Sequence, residues 1–269
     1  MRRPSTALAL TFFLALLAAR PSATQQTSAT AVQRDQQGLD VLAKVLIAAG
    51  GERSIGSIKD FSGSGTITYY WAGETVQGPV TIKGRGTDQF RLDATLPSGI
   101  RTFVSSGGVG YIREPNGSIT NLSSYQAGDF GNTLVFPFGQ MLLALADAST
   151  NIVYKGLVSH EGSQVHQIRV EGLQNKITGS RMIAGQVHGQ DFFVDADTFL
   201  IVSVLGKAYS RDGAMNSCPV EVLFSDYRSS GGVMVPYSIR NVVDGQLSVA
   251  LQLDQFTFNN NLSDSDFQQ

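Results

Sequence analysis

Few residues in this chain offer reactive chemistry. His160, His166 and His188 are its only histidines, and the first two flank a turn at Glu161-Gly162-Ser163. Across a hairpin they can approach one another, and the Glu161 carboxylate can join them as a metal ligand. The spacing lacks the paired HExxH pattern of a helical zinc site, and exposed hairpin histidines explain the same residues, so no metal is expected. Asp195-Ala196-Asp197-Thr198 carries oxygen donors that would suit calcium, yet such a loop between two apolar strands reads as a hairpin turn. Cys218 is the single cysteine, which excludes an intramolecular disulfide and a cysteine-built zinc site; its neighbours include no cation to activate the thiol. There is no Gly-x-Ser-x-Gly elbow, which leaves a dispersed Ser-His-Asp triad as the residual hydrolase reading. Gly84-Arg85-Gly86 and Gly107-Gly108-Val109-Gly110 are glycine-rich, but neither leads into a helix with a phosphate-cradling Lys-Ser/Thr pair. The expectation is a chain that is not an enzyme and needs no cofactor.

The start of the chain is more telling. Arg2 and Arg3 precede an apolar run from Ala7 to Ala19, which gives way to Arg20-Pro21-Ser22-Ala23. That is the pattern of a cleaved signal peptide over residues 1–23, and the run is shorter than the roughly 20 residues a membrane-spanning helix needs. A periplasmic or secreted product follows. Residues 24–37 are rich in Thr, Gln and Ser and read as a flexible lead-in, and residues 38–269 as one domain. Loss of Arg2, Arg3 and Arg20 takes the net charge from −2 to −5, which argues against nucleic acid as a partner.

The elements around these residues follow from periodicity. Leu39, Leu42, Leu46 and Ala49 recur at helical spacing, stopped by Gly50-Gly51. From Phe61 onward short alternating runs are separated by turn residues such as Pro97-Ser98-Gly99 and Pro115-Asn116-Gly117, the rhythm of a meander. Val135, Phe138, Met141, Leu142 and Leu145 break this rhythm at steps of three and four, which predicts a helix from about Pro137 to Ala148. Strands then resume, including Arg181–Ala184 and an apolar run at Phe199-Leu200-Ile201-Val202 that predicts a strand covered on both faces. In the last strand the apolar phase moves from Leu251 and Leu253 to Phe256 and Phe258, as a bulge near Asp254-Gln255 would cause. The fold class is mainly β with helices (α+β). It is read as a single unclosed antiparallel barrel of about 11–12 strands, with helices packed in or over its concave face.

Ala48-Ala49-Gly50-Gly51 ahead of Ile58-Lys59-Asp60-Phe61 and Gly63-Ser64-Gly65 resembles the opening of exported proteins of the lipoprotein-carrier, or LolA-like, superfamily. Phe192-Phe193-Val194-Asp195, Phe224-Ser225-Asp226-Tyr227-Arg228 and the ending Phe258-Asn259 with Leu262-Ser263-Asp264 and Phe267 are similar to the same group. The resemblance spans roughly residues 38–267, although its motifs are turn and strand chemistry, and no residue aligns with the carrier's functional arginine. It implies a half-open barrel whose hydrophobic cavity holds a lipid, an acyl chain or a lipoprotein, as carrier or envelope sensor. On that reading Leu134, Phe138, Met141, Leu142 and Leu145 of the middle helix line the cavity with Tyr69, Trp71, Phe103 and Phe192 of the strands. The alternative is a protein-interaction domain that adds a partner strand at an exposed sheet edge, possible edge-blunting charges being Lys83-Gly84-Arg85 and Arg240-Asn241.

Overall fold

The computed structural model describes residues 32–71, 73–86, 88–122, 135–172, 189–210 and 213–268. Strands β1 (Asp60–Trp71), β2 (Glu74–Arg85), β3 (Gln89–Leu96), β4 (Gly99–Ser106), β5 (Val109–Arg113) and β6 (Ile119–Leu122) form one meander. A second comprises β7 (Asn151–His160), β8 (Ser163–Glu171), β9 (Gly189–Asp195), β10 (Ile201–Ser210), β11 (Gly213–Ser230), β12 (Val233–Val243) and β13 (Gln246–Phe258). Pairing of β1 with β13 fuses them into one 13-stranded antiparallel sheet with β6 and β7 at its two edges. The sheet is an unclosed barrel, with one strand more than the upper end of the expected range. The edges differ from those expected: β2 lies between β1 and β3, and β12 between β11 and β13. Lys83, Arg85 and Arg240 therefore do not blunt edges. The expected strand at Arg181–Ala184 lies outside the described residues.

Curvature is introduced at the seam. The register of β1 against β13 shifts between Ser64 and Gly65, whose partners are Gln255 and Leu253, so Asp254 is the extra residue of a bulge. The bulge lets Leu251, Leu253 and Phe256 all be buried although their spacing changes, as the phase shift in the sequence requires. Gly65 is needed there because a Cβ would run into the Gln252 carbonyl oxygen.

Among the described residues three helices pack on the concave face. In α1 (Gln36–Ala48), Val41, Leu42, Val45 and Leu46 form the buried stripe, at the spacing of an amphipathic helix. The short α2 (Glu52–Gly56) buries Ile55, and α3 (Phe138–Ala146) buries Phe138, Met141 and Ala144. These side chains share one core with Ile67, Ile82, Phe90, Ile168 and Phe192 of the sheet. The α3 helix stops at Ala146, two residues before the expected end, because Asp147 turns its carboxylate to the Ser149 amide (2.9 Å) and the Thr150 hydroxyl (3.2 Å). Its last carbonyls are met by Arg34, which donates to the oxygens of Ala144, Leu145, Asp147 and Thr150 at 2.6–3.2 Å. Such a cation at a helix C-terminus satisfies orphan acceptors and complements the dipole.

The apolar run after Thr198 divides. Phe199, with φ of 56°, belongs to the β9–β10 turn, and β10 begins at Ile201. Ile201 and Val204 face the core, while Ser203 is buried on the other side, beside His160, so both faces are covered there. On the opposite, convex side of β3 to β5, the chain end closes a small second cluster in which Phe267 packs with Val104 and Tyr111. Ion pairs of Lys83 with Asp266 (2.7 Å) and of Arg85 with Asp264 fasten this strap.

Candidate ligand-binding site

Alternation along β1 sends Ile67, Tyr69 and Trp71 to the concave face. Register then sets their neighbours: Tyr69 pairs with Val249 on β13, and Val249 with Asn241 on β12. From the rest of the first meander Phe90 and Leu92 of β3, Phe103 of β4 and Ile112 of β5 face the same space. Together they line a half-open cavity of about 250 Å³ whose wall is overwhelmingly apolar. Its single charged lining residue among the described residues is Arg101 of β4, whose guanidinium lies 5.1 Å from the Tyr69 ring centre and 5.2 Å from that of Trp71. The two rings are themselves 5.0 Å apart. Arg101 Nε donates to both Glu114 carboxylate oxygens, at 3.2 and 3.1 Å. Burial works against the Arg101 charge, but Glu114 and the Tyr69 hydroxyl more than offset it and hold its pKa above the usual value. Burial pushes the Tyr69 hydroxyl up, against the pull of Arg101.

No protein-family model matches the chain, and no curated protein matches it. Solved structures do. A provisionally assigned outer membrane lipoprotein-sorting protein domain from Vibrio parahaemolyticus superposes with a TM-score of 0.51 at 13% identity, over 86% of this chain and 96% of that one. A DUF1329 family protein from Desulfovibrio piger gives 0.55 at 12% identity, over 88% and 98%. A LolA superfamily protein from Nitrosomonas europaea gives 0.52 at 14% identity, over 84% and 96%. The chain has the LolA-superfamily fold. At these identities the likeness is one of backbone path, and it runs nearly end to end in each chain.

Within this LolA-type half-barrel the residues singled out from the sequence separate. Tyr69, Trp71 and Phe103 stand on the wall of the cavity. Phe138, Met141 and Phe192 are 0% exposed, in the packed core between α3 and the sheet. Leu142 lines a second pocket of about 180 Å³ beside α2, with Ile58 and Phe136. Leu145 packs half-buried against the core, and Leu134 lies outside the described residues. Arg101 and Ile112 were not singled out in the sequence, and Asn241 was read there only as part of a sheet edge. Their period-two position on neighbouring strands is a signal, but it becomes usable only with the strand order.

The histidines depart from expectation. On the β7–β8 hairpin His160 pairs with Ser163 and His166 with Leu157, so the two imidazoles point to opposite faces and do not approach one another. Neither is an exposed hairpin histidine. His160 stacks on Phe193 at 4.1 Å, and its Nε2 lies 2.7 Å from Glu221 and 3.2 Å from the Ser203 hydroxyl. Both contacts use the same nitrogen, whereas a triad base needs one ring nitrogen for the acid and the other for the nucleophile. The group ties β7 to β10 and β11. His166 Nδ1 meets the Tyr154 hydroxyl at 2.8 Å, and its ring stacks on Phe199; burial, then the Lys44 charge, lower its pKa. His188 lies outside the described residues. Asp195 is the turn residue expected, accepting from the Thr198 amide and hydroxyl at 2.8 Å each. Burial opposes its charge, but these bonds lower its pKa overall.

Proposed function

We propose that this chain, exported after loss of residues 1–23, uses its domain of residues 38–269 to bind an apolar molecule in the cavity between β1, β13, β12 and β3 to β5. It acts without catalysis, as a carrier or sensor of a lipid, an acyl chain or a lipoprotein in the periplasm or outside the cell. The observation that carries this reading is the wall itself: Ile67, Leu92, Phe103, Ile112, Val249 and Leu251 facing one space. Each buried methylene contributes about 0.8 kcal/mol, so an apolar chain needs no reactive group to stay. The volume, about 250 Å³, lies just under the roughly 300–1,000 Å³ usual for drug-sized ligands, which fits a short chain or one segment of a longer one. The names of the Vibrio and Nitrosomonas proteins point the same way.

The test is mass spectrometry of organic extracts from protein purified without detergent, compared with a Val249→Phe variant that fills part of the cavity. Stoichiometric apolar material in the native protein, depleted in the variant while the far-UV spectrum is kept, is the expected result. An empty native protein whose Trp71 emission does not respond to medium-chain alcohols overturns the reading.

A further inference from the structure

The polar groups of the cavity wall gather at one end of it. Arg101 stands two residues into β4, Asn241 two residues before the end of β12, and Tyr69 and Trp71 among the last three residues of β1. In the antiparallel strand order these three strand ends fall on the same rim of the sheet. Deeper positions on the same strands carry Ile67, Phe103 and Ile239. The cavity is therefore amphipathic along its length, and Trp71, 43% exposed, places the polar end at the solvent.

These polar groups are mostly donors. A guanidinium and an indole N–H offer no acceptor in any orientation. Glu114 is bonded to the Arg101 Nε, which leaves the N–H groups of both Nη atoms with the Tyr69 hydroxyl as their protein acceptor among the described residues. Asn241 adds to the set: its Oδ1 is enclosed by protein, whereas its Nδ2 is neither enclosed nor bonded among the described residues. The two ends of an amide are assigned rather than seen, but Arg101 and Trp71 fix the sign without it. The Tyr69 hydroxyl and Ser248 can donate or accept and complement either partner. Arg101 and Glu114 carry opposite charges 3.1 Å apart, so the pair has no net charge with which to draw an anion, and an ionised head would meet the Glu114 carboxylate beside the guanidinium.

We propose that the molecule held here lies with its apolar tail inward and an uncharged hydrogen-bond acceptor, an ester or amide carbonyl, at the rim, where Arg101 and Asn241 Nδ2 donate to it. The inference rests on the cavity being the binding site. It narrows the ligand from any apolar molecule to an acyl ester or amide, and it gives the bound molecule a direction.

The experiment titrates the purified protein with methyl heptanoate, with its isomer octanoic acid held ionised at about pH 8, and with 1-octene, which has no carbonyl. Trp71, the only tryptophan in the chain, reports occupancy by a blue shift of its emission. Native protein is expected to bind the ester about tenfold more tightly than octanoate. Asn241→Leu, and Arg101→Met combined with Glu114→Gln so that no carboxylate is stranded, should each weaken ester binding about tenfold while 1-octene binding is kept. The infrared carbonyl band of the bound ester supplies a second measurement. It should lie at lower frequency in native protein than in hydrocarbon, and since it needs no variant, a substitution that fails to fold does not remove the test.

Octanoate bound as tightly as the ester, an unshifted carbonyl band, or ester affinity that survives either substitution overturns the proposal. Equal losses of ester and 1-octene in the variants also overturn it, because they mark a change of packing. Each of these results leaves the binding reading standing as long as native protein takes up 1-octene. No response to any of the three molecules sinks the binding reading and this inference with it.

Discussion

Arg34 Nη1 donates to the Asp147 carbonyl oxygen at 2.6 Å, and through its further bonds to Ala144, Leu145 and Thr150 one guanidinium caps the helix that plugs the barrel. Arg34→Ala leaves these acceptors short of donors in a half-buried place, so a loss of about 2 kcal/mol is expected. Arg34→Lys recovers little, because a compact ammonium cannot serve carbonyls spread over such a fork. Denaturant unfolding checks this; equal midpoints for the alanine variant and the native protein would show that the cap contributes nothing.

The turn after α1 approaches the sheet closely, at the turn into β12. Gly50 has φ of 120°, and a Cβ there would run into the Gly232 carbonyl oxygen, while the Ala49 carbonyl oxygen accepts from the Met234 amide at 2.9 Å. Gly50→Ala is expected to cost about 3 kcal/mol, combining an unfavourable backbone region with displacement of β12. Gly73→Ala, at a positive φ with open space around it, isolates the backbone part and should cost about 1 kcal/mol. Similar urea midpoints for the two variants would count against the close approach.

How much of this was legible from the sequence depends on the distance between partners. The α1 stripe of Leu42 and Leu46 and the bulge at Asp254 are local patterns, and both were readable. Arg34 was not, since its acceptors lie more than 100 residues away and nothing beside it marks a cap. The site divides in the same way. Tyr69 and Trp71 stand out by alternation on one strand, but Arg101, on β4 and separated from β1 by two strands in the sheet order, reaches them only because the sheet curls. Asn241 misled for a physical reason: beside Arg240 it reads as part of a charged sheet edge, whereas the pleat sends Arg240 outward and Asn241 inward.

The C-terminal strap gives an acid-sensitive contribution. Lys83, then the Ser263 amide, hold the Asp266 carboxyl down to about 2, against an ordinary value of 3.8. A carboxyl depressed in the fold contributes stability that is present above the unfolded value and lost as pH falls through the folded one. The strap's share is therefore expected to fade between about pH 4 and pH 2, and Asp266→Asn to flatten that part of the stability curve. An unchanged profile in the variant would rule the pair out as its source.

His166 works in a separate window. Burial and the neighbouring Lys44 charge lower its pKa below the ordinary 6.5, so the unfolded chain takes up its proton first. Stability from this group is full above pH 6.5 and declines as pH falls below it. Replacing His166 with Gln should remove a decline that starts above the range in which carboxylates titrate. Nuclear magnetic resonance titration of the ring offers a direct check, and a midpoint at or above 6.5 contradicts the environment described.

The cavity volume sets a chain length. A methylene fills close to the roughly 30 Å³ share of a liquid water molecule, so about 250 Å³ takes about eight carbons. Up to that length each added methylene is worth about 0.8 kcal/mol, or about fourfold in affinity. Beyond it the added carbons stay in water and contribute little. A titration of straight-chain alcohols of increasing length, followed by Trp71 emission, should show fourfold steps that stop near octanol. Val249→Phe should move the break to a shorter chain without changing the size of the steps below it. Steps that continue unchanged to tetradecanol would mean that the barrel opens to admit the chain, and that the cavity between Trp71 and Asn241 is only the first part of a larger binding space.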